Sequence, residues 1–164
     1  MNPTSIKNPT TVERTSEREI VVTRVFSGPA QLVFQAWTTP ELLKRWWTPK
    51  SFGITFVSCE ADVRTGGSYR FVFSHPASDQ PMAFFGRYIE VTPNSRIVWT
   101  NEESGDGPIT TVTFEDQGDK TLLVLRELYS SKQALDDAIA SGSTGTSAAP
   151  EQFELLDVLL DTLV

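Results

Sequence analysis

The sequence contains one cysteine, Cys59, and one histidine, His75, among its 164 residues. A single thiol cannot form a disulfide within the chain, and a cysteine-based zinc site needs more thiols than this. The sequence also lacks any apolar run of 18 or more residues, the length at which a helix becomes a membrane-span candidate. We therefore predict a chain with no disulfide, no metal site, no cofactor and no membrane-spanning helix.

Basic residues are scarce as well. The chain has 14 Lys and Arg against 21 Asp and Glu, which gives a formal net charge of −7. Nucleic acids and anionic membrane surfaces are both bound by clustered basic side chains, and no such cluster is present. We expect neither partner. Because no signal-peptide core follows the first charges, we also expect a cytoplasmic protein.

The remaining composition is that of one globular domain, with 39% hydrophobic and 21% charged residues. Residues 1–18 are polar and show no apolar period, so we predict a disordered leader there. Residues 19–164 then form a single domain. Its interior is large enough to need no disulfide or metal for stability.

The pattern of the domain predicts an α+β fold with the element order β-α-α-β6-α. The first strand is Glu19–Phe26, and Pro29 and Pro40 each open a short helix, the second of which ends at Pro49. Turn residues then separate six strands, at residues 54–61, 68–74, 82–91, 96–101, 109–115 and 121–129. Such short connections indicate an antiparallel sheet of seven strands in all.

The C-terminal region contains an amphipathic helix that opens at Pro150. Its apolar stripe consists of Phe153, Leu156, Leu159, Leu160 and Leu163, and its acidic stripe of Glu151, Glu154, Asp157 and Asp161. We expect the apolar stripe to pack on the sheet and the acidic stripe to face water. A short helix at 131–139 and a flexible loop at 141–149 precede it.

Several motifs in this order resemble a known family. They are RVFSGP at 24–29, VFQAWTTPE at 33–41, WWTP at 46–49, DVRTGGSYRF at 62–71, GRYIEVTP at 86–93 and RIVWT at 96–100. Together they are similar to the activator of Hsp90 ATPase homologue 1-like family, which belongs to the START-like and birch-pollen-allergen-like superfamily. The resemblance covers residues 19–164 and implies a helix-grip fold, a curved seven-stranded sheet wrapped around a long C-terminal helix. It loosens near the C-terminus, where Phe153 stands in place of the family's usual Trp.

The resemblance also implies a pocket between the sheet and the last helix, because a curved sheet cannot follow a straight helix everywhere. The residues that we predict to line it are Trp46, Tyr69, Phe71, Phe73, Phe84, Tyr88, Trp99, Val112, Phe114, Phe153 and Leu156. The alternative is that these side chains fill the space completely. Trp46 and Trp47 are neighbours on a helix, so one is expected in the core and the other at the pocket edge or surface.

Three functions follow from these observations. The first, which we favour, is non-enzymatic binding of a small apolar or amphipathic molecule. The second is activation of an Hsp90-type chaperone ATPase, as the family resemblance implies. The third is a cyclase- or hydrolase-like enzyme, a kind that this superfold sometimes hosts. The chain could act as a monomer or as a homodimer.

Catalysis is the least supported of the three functions. His75 ends a strand with no nucleophile or base at motif spacing, although Arg70 and Glu60 are possible partners. Three carboxylate pairs, Glu102–Glu103, Asp136–Asp137 and Glu151/Glu154, are interpreted as solvated charge, because acid–base work requires a dry cleft. We predict no catalytic residue.

Overall fold

The computed structural model describes residues 9–48, 50–103, 107–142 and 144–163. These form an α+β fold with one curved antiparallel sheet and four α-helices. The strands are β1 Thr11–Arg14, β2 Glu19–Phe26, β3 Thr55–Ala61, β4 Ser68–Ser74, β5 Met82–Thr92, β6 Arg96–Thr100, β7 Ile109–Asp116 and β8 Thr121–Leu128. The helices are α1 Ala30–Thr38, α2 Pro40–Trp46, α3 Lys132–Ser141 and α4 Ala149–Leu163. The predicted helix end at Pro49 and residues 1–8 of the predicted leader lie outside the described residues.

The sheet has eight strands rather than the predicted seven, in the order β1-β2-β8-β7-β6-β5-β4-β3. The seven predicted strands, β2 to β8, are confirmed to within one residue at either end. The additional strand, β1, lies inside the predicted leader and pairs antiparallel with β2. Only one of its four residues is apolar, so the strand has no alternating apolar pattern that would predict it. It forms by pairing with the edge of β2 that would otherwise be unpaired.

Local sequence signals explain where the helices begin and end. Pro40 is the first residue of α2, where its missing N–H costs no hydrogen bond. The Ser131 hydroxyl oxygen accepts a hydrogen bond from the Ala134 N–H at 3.0 Å and so caps α3, which ends at a left-handed Gly142 (φ +70°). In the predicted loop, Gly145–Ala148 form a 3₁₀ turn that leads directly into α4. Among the described residues, no helix has the length and apolarity that crossing a membrane requires.

The core lies where α1, α2 and α4 cover the inner face of the sheet. Phe153 of α4 is 1% exposed, and its ring centroid is 5.4 Å from that of Phe26 on β2. Trp46 is fully buried, and its indole N–H donates to the Ala36 carbonyl at 3.0 Å. The predicted apolar stripe of α4 therefore packs on the sheet as expected.

The acidic stripe of α4 differs from the prediction, because Asp157 is buried. Arg24 on the inner face of β2 is only 2% exposed, and its Nη2 lies 3.0 Å from Asp157 Oδ2 and 2.9 Å from Glu154 Oε2. Arg24 Nη1 also donates to Thr10 Oγ1 at 2.9 Å. A buried guanidinium requires anionic partners, so α4 turns two carboxylates toward the sheet.

We predict that the substitution Arg24→Met destabilises the protein by about 3–5 kcal/mol, because it leaves the Asp157 carboxylate buried without its cation. The double substitution Arg24→Met/Asp157→Leu should recover most of that loss, since it removes both charges. The free energy of unfolding in urea, measured for both variants, tests the expectation.

The matched control is Arg64→Met. It breaks an ion pair with Asp62 of similar length, 2.9 Å, whose side chains are both more than half exposed. Exposed pairs contribute about 0–1 kcal/mol, so this variant should unfold almost like the unsubstituted protein. Equal losses for Arg24→Met and Arg64→Met would show that burial of the Arg24 pair has no special role.

Candidate binding cavity

A cavity of about 730 Å³ lies between the inner face of β4, β5 and β6 and the α3 side of the molecule. Side chains alternate across a strand, so every second residue of these strands faces inward. The inward residues that line the cavity are Tyr69, Phe71 and Phe73 of β4, Met82, Phe84 and Tyr88 of β5, and Ile97 and Trp99 of β6. One wall of the cavity is thus almost entirely aromatic and aliphatic.

Gly86 interrupts that wall at the inward position between Phe84 and Tyr88. A Cβ atom at Gly86 would lie 2.1 Å from the Thr100 carbonyl oxygen, so no larger residue fits. The same carbonyl accepts a hydrogen bond from the Tyr69 hydroxyl at 2.7 Å. The absence of a side chain at Gly86 lets β5 pass close to the end of β6, and the hydrogen bond to Thr100 positions the Tyr69 ring.

The opposite wall comes from α3 and from the segment that leads to α4. Ala134, Asp137, Ala138 and Ser141 occur at helical spacing and present one face of α3 to the cavity. Two of them are alanines, so this face occupies little space. Gln152 of α4 completes the wall.

Apolar side chains mark the opening of the cavity. Phe52, Met82 and Phe84 line it and yet remain 46%, 39% and 39% exposed. Residues that touch both solvent and cavity form its rim. A ligand that enters here meets apolar surface first.

The far end of the cavity is polar. Glu127 at the end of β8 is 4% exposed, and the Tyr129 hydroxyl donates to its Oε1 at 2.6 Å. Nearby Asn101 Nδ2 donates to the Pro108 carbonyl at 2.8 Å and to Thr110 Oγ1 at 3.0 Å. Glu127 is not among the residues predicted from the sequence, although Leu123 and Leu125 place it at a buried position of the alternating strand.

A second, smaller space of about 70 Å³, which we call the inner pocket, adjoins this polar end. It shares six residues with the large cavity: Trp37, Trp47, Trp99, Asn101, Glu127 and Gln152. The ring centroid of Trp37 lies 6.0 Å from those of both Trp47 and Trp99. The inner pocket therefore combines three indole rings with a carboxylate and two amides.

The structure places the sequence-predicted lining residues in three groups. Six of them line the large cavity: Tyr69, Phe71, Phe73, Phe84, Tyr88 and Trp99. Phe153 instead lines the inner pocket. Trp46, Val112, Phe114 and Leu156 line neither space and are buried in the core.

These four residues lie where the helices pack on the sheet: Trp46 and Leu156 belong to α2 and α4, and Val112 and Phe114 belong to β7. Phe114, for example, packs edge-on against Phe34 of α1 with ring centroids 5.5 Å apart. Of the adjacent tryptophans, Trp46 is in the core and the half-buried Trp47 lines both spaces, in agreement with the expectation that the two separate.

The residues considered for catalysis lie elsewhere. His75 follows β4, does not line the cavity, and accepts a hydrogen bond from the Ala77 N–H through Nδ1 at 2.9 Å. Glu60 and Arg70 pair across β3 and β4, and both are exposed. Within the described ranges, no group of three or more His, Cys, Asp or Glu is arranged to hold a metal ion.

Two carboxylates interpreted as solvated charge instead border the cavity. They are Glu103, after β6, and Asp137 on α3. Both remain exposed at its edge. A face of a sheet or helix can be read from the sequence, but a carboxylate at the mouth of a cavity has the same local pattern as one in open solvent.

All three tyrosines of the chain, Tyr69, Tyr88 and Tyr129, line the cavity. Burial raises the pKa of each one well above its ordinary value, because the phenolate would lose its hydration. The negative charge of Glu127 raises the pKa of Tyr129 further.

We predict that the folded protein keeps its tyrosines protonated past pH 10, where tyrosine in an unfolded chain ionises. Above that pH the unfolded chain releases protons that the folded chain retains. The stability should therefore fall as pH rises, by about 1.4 kcal/mol per pH unit for each tyrosine. The tyrosinate absorbance and the far-ultraviolet circular dichroism, followed together through an alkaline titration, measure this.

In the variant Tyr88→Phe, the free energy of unfolding should fall with pH less steeply, by about 1.4 kcal/mol per pH unit, because one titrating tyrosine is removed. A tyrosinate signal that rises near pH 10 while the circular dichroism stays native would contradict the prediction.

Comparisons with known proteins place this geometry in a family. The family described as Activator of Hsp90 ATPase homolog 1-like protein matches residues 27–160. Among solved structures, a Rhodobacter sphaeroides protein is similar at 23% identity and a TM-score of 0.82, covering 94% of this chain and 99% of its own. A Chromobacterium violaceum protein is 28% identical with a TM-score of 0.68, covering 86% of this chain and 96% of its own.

An AHSA1-like protein from Aeromonas hydrophila is similar at 16% identity with a TM-score of 0.68, covering 86% of this chain and 93% of its own. A comparison with curated proteins gives no match. The likenesses below 25% identity concern the fold, whereas the family match covers most of the sequence. The chain belongs to the Activator of Hsp90 ATPase homolog 1-like protein family.

Proposed function

We propose that this protein binds a small apolar or amphipathic molecule in the large cavity and does not transform it. The cavity itself carries this proposal. Its volume of about 730 Å³ lies within the range of about 300–1,000 Å³ that small-molecule sites occupy. Native interiors are otherwise close-packed, so a space of this size lined by aromatic side chains favours a ligand over a filled core.

The rim supports the same conclusion. Phe52, Met82 and Phe84 expose apolar surface at the opening, at a cost that a ligand would offset by covering them. Activation of a chaperone ATPase rests on the family description, whereas the cavity is a property of this chain. His75 lies outside the cavity, which disfavours an acid–base enzyme built on it.

We expect the neutral fluorophore N-phenyl-1-naphthylamine to bind with one molecule per chain and a rise in fluorescence, because the aromatic wall excludes water from it. The substitution Ala138→Trp should weaken this binding about tenfold or more, since the new ring fills space on the α3 wall. A fluorescence titration with each protein measures the effect.

The matched control is Ala140→Trp, which places the same ring on an exposed position of α3 that does not line the cavity. Unfolding temperatures of both variants show whether each is folded. Undiminished binding by a folded Ala138→Trp variant would place the ligand elsewhere. If no member of a broad set of apolar molecules binds or raises the unfolding temperature of the unsubstituted protein, the proposal is wrong.

A further inference from the structure

The indole of Trp37 is a buried hydrogen-bond donor without an acceptor. Trp37 is 4% exposed and lines both the large cavity and the inner pocket. Within the described part of the chain, no group accepts a hydrogen bond from its Nε1–H. The contrast is Trp46, which is also buried but donates its indole N–H to the Ala36 carbonyl at 3.0 Å. A buried donor without a partner is costly, and an acceptor atom on a ligand in the inner pocket would satisfy it.

The other polar side chains of the inner pocket are already used within the protein. Asn101 Nδ2 donates to two protein oxygens, at 2.8 Å and 3.0 Å. Gln152 Nε2 donates to the Trp47 carbonyl, and the Glu127 carboxyl accepts from the Tyr129 hydroxyl. These groups hold the fold together, whereas the Trp37 indole N–H has no such use.

The charges of the lining distinguish between neutral and ionised ligands. Among the described residues, no Lys, Arg or His lines either space. An ionised carboxylate or phosphate in the inner pocket would therefore be buried without a cation. An ammonium group has hydrogens to donate and no lone pair to accept with, so it leaves the Trp37 donor unsatisfied. The acceptor that suits this place is uncharged.

A carbonyl oxygen meets this need with nothing left over. It accepts hydrogen bonds and brings no donor of its own, whereas a hydroxyl group brings a hydrogen that itself requires an acceptor. The inner pocket, at about 70 Å³, has room for a small head group only. The larger part of the molecule must then lie in the large cavity.

The large cavity provides for a long apolar body. Met82 pairs with Phe73 at one end of β5, and Tyr88 pairs with Trp99 six residues further along, a separation of about 20 Å. The first end is the apolar rim, and Trp99 at the second end also lines the inner pocket. This length suits an extended alkyl chain or a similar apolar group.

We propose that the ligand is an uncharged amphipathic molecule whose carbonyl oxygen accepts a hydrogen bond from Trp37 Nε1–H in the inner pocket. Its apolar body lies along Phe73, Met82 and Phe84. The inference rests on the proposed function, since it assigns the chemistry of the molecule that fills the cavity. It makes Trp37 the residue that selects a neutral carbonyl compound over a fatty acid or an alkylamine of the same length.

Three probes of ten carbons each separate the head groups: 2-decanone, decylammonium and decanoate. Only the ketone combines an acceptor with the absence of charge. Calorimetric titration of the unsubstituted protein should give 2-decanone an affinity at least about tenfold higher than that of either ion.

The substitution Trp37→Phe keeps an aromatic ring and removes the N–H. It should weaken 2-decanone about tenfold and change decylammonium by less than about threefold, because only the ketone uses the donor. The matched control is Trp46→Phe, the same substitution at a buried indole that lines neither space and whose N–H is used within the protein. It should leave the ratio of the two affinities unchanged. Unfolding temperatures show whether each variant is folded.

A second measurement needs no variant at position 37. The chain has four tryptophans, so a ¹⁵N-labelled sample gives four indole N–H signals that can be assigned from their nuclear Overhauser contacts. Saturation with 2-decanone should move the Trp37 indole proton downfield, as a new hydrogen bond does, and leave that of Trp46 in place. Decylammonium should not produce this downfield shift.

Equal binding of the three probes, tighter binding of either ion, or a Trp37 indole proton that 2-decanone does not move overturns the carbonyl assignment and leaves cavity binding intact. The same holds if none of the three binds while N-phenyl-1-naphthylamine does. If neither these probes nor the broad apolar set binds, both the assignment and the proposed function are wrong.

Discussion

The buried ion pair between Arg24 and the carboxylates of α4 fixes where the last helix lies on the sheet, and the position of the cavity follows from that. A guanidinium that is 2% exposed needs anionic partners, and Asp157 and Glu154 supply them where α4 crosses β2. A helix of 15 residues is about 22 Å long, whereas eight strands extend across about 34 Å. Held at the β2 side, α4 leaves the inner face of β4 and β5 uncovered.

The same kind of residue therefore has two roles on one face of the sheet. Under the helices, aromatic side chains of the sheet pack against those of the helices, as Phe26 of β2 does against Phe153 of α4 with ring centroids 5.4 Å apart. Away from α1 and α4, Phe71 and Phe73 line the cavity and form one of its walls. Trp47 marks the boundary, because it is half-buried and lines both spaces.

This division explains what the sequence could and could not predict. Strands β2 to β8 have period-2 patterns between turn residues, which are local signals, and their bounds are accordingly accurate. Alternation also predicts that Tyr69 and Phe114 face the inner side of the sheet. Whether such a residue borders the cavity, as Tyr69 does, or the core, as Phe114 does, depends on where α1 and α4 lie. Helical periodicity predicts that Asp157 faces water, because it considers only neighbouring residues of the helix. The buried partner Arg24 is 133 residues away in the sequence.

Glu127 is a buried polar residue at a position where packing alone favours an apolar one. Leu123 and Leu125 precede it on the buried side of β8, and a third leucine would continue that pattern without dehydrating a carboxylate. The Tyr129 hydroxyl donates a hydrogen bond to Glu127 and offsets part of this cost. Positions that break a local rule of folding are often those that serve a function. A carboxylate shared by the cavity and the inner pocket fits that description, because it places a buried polar group in an otherwise apolar lining.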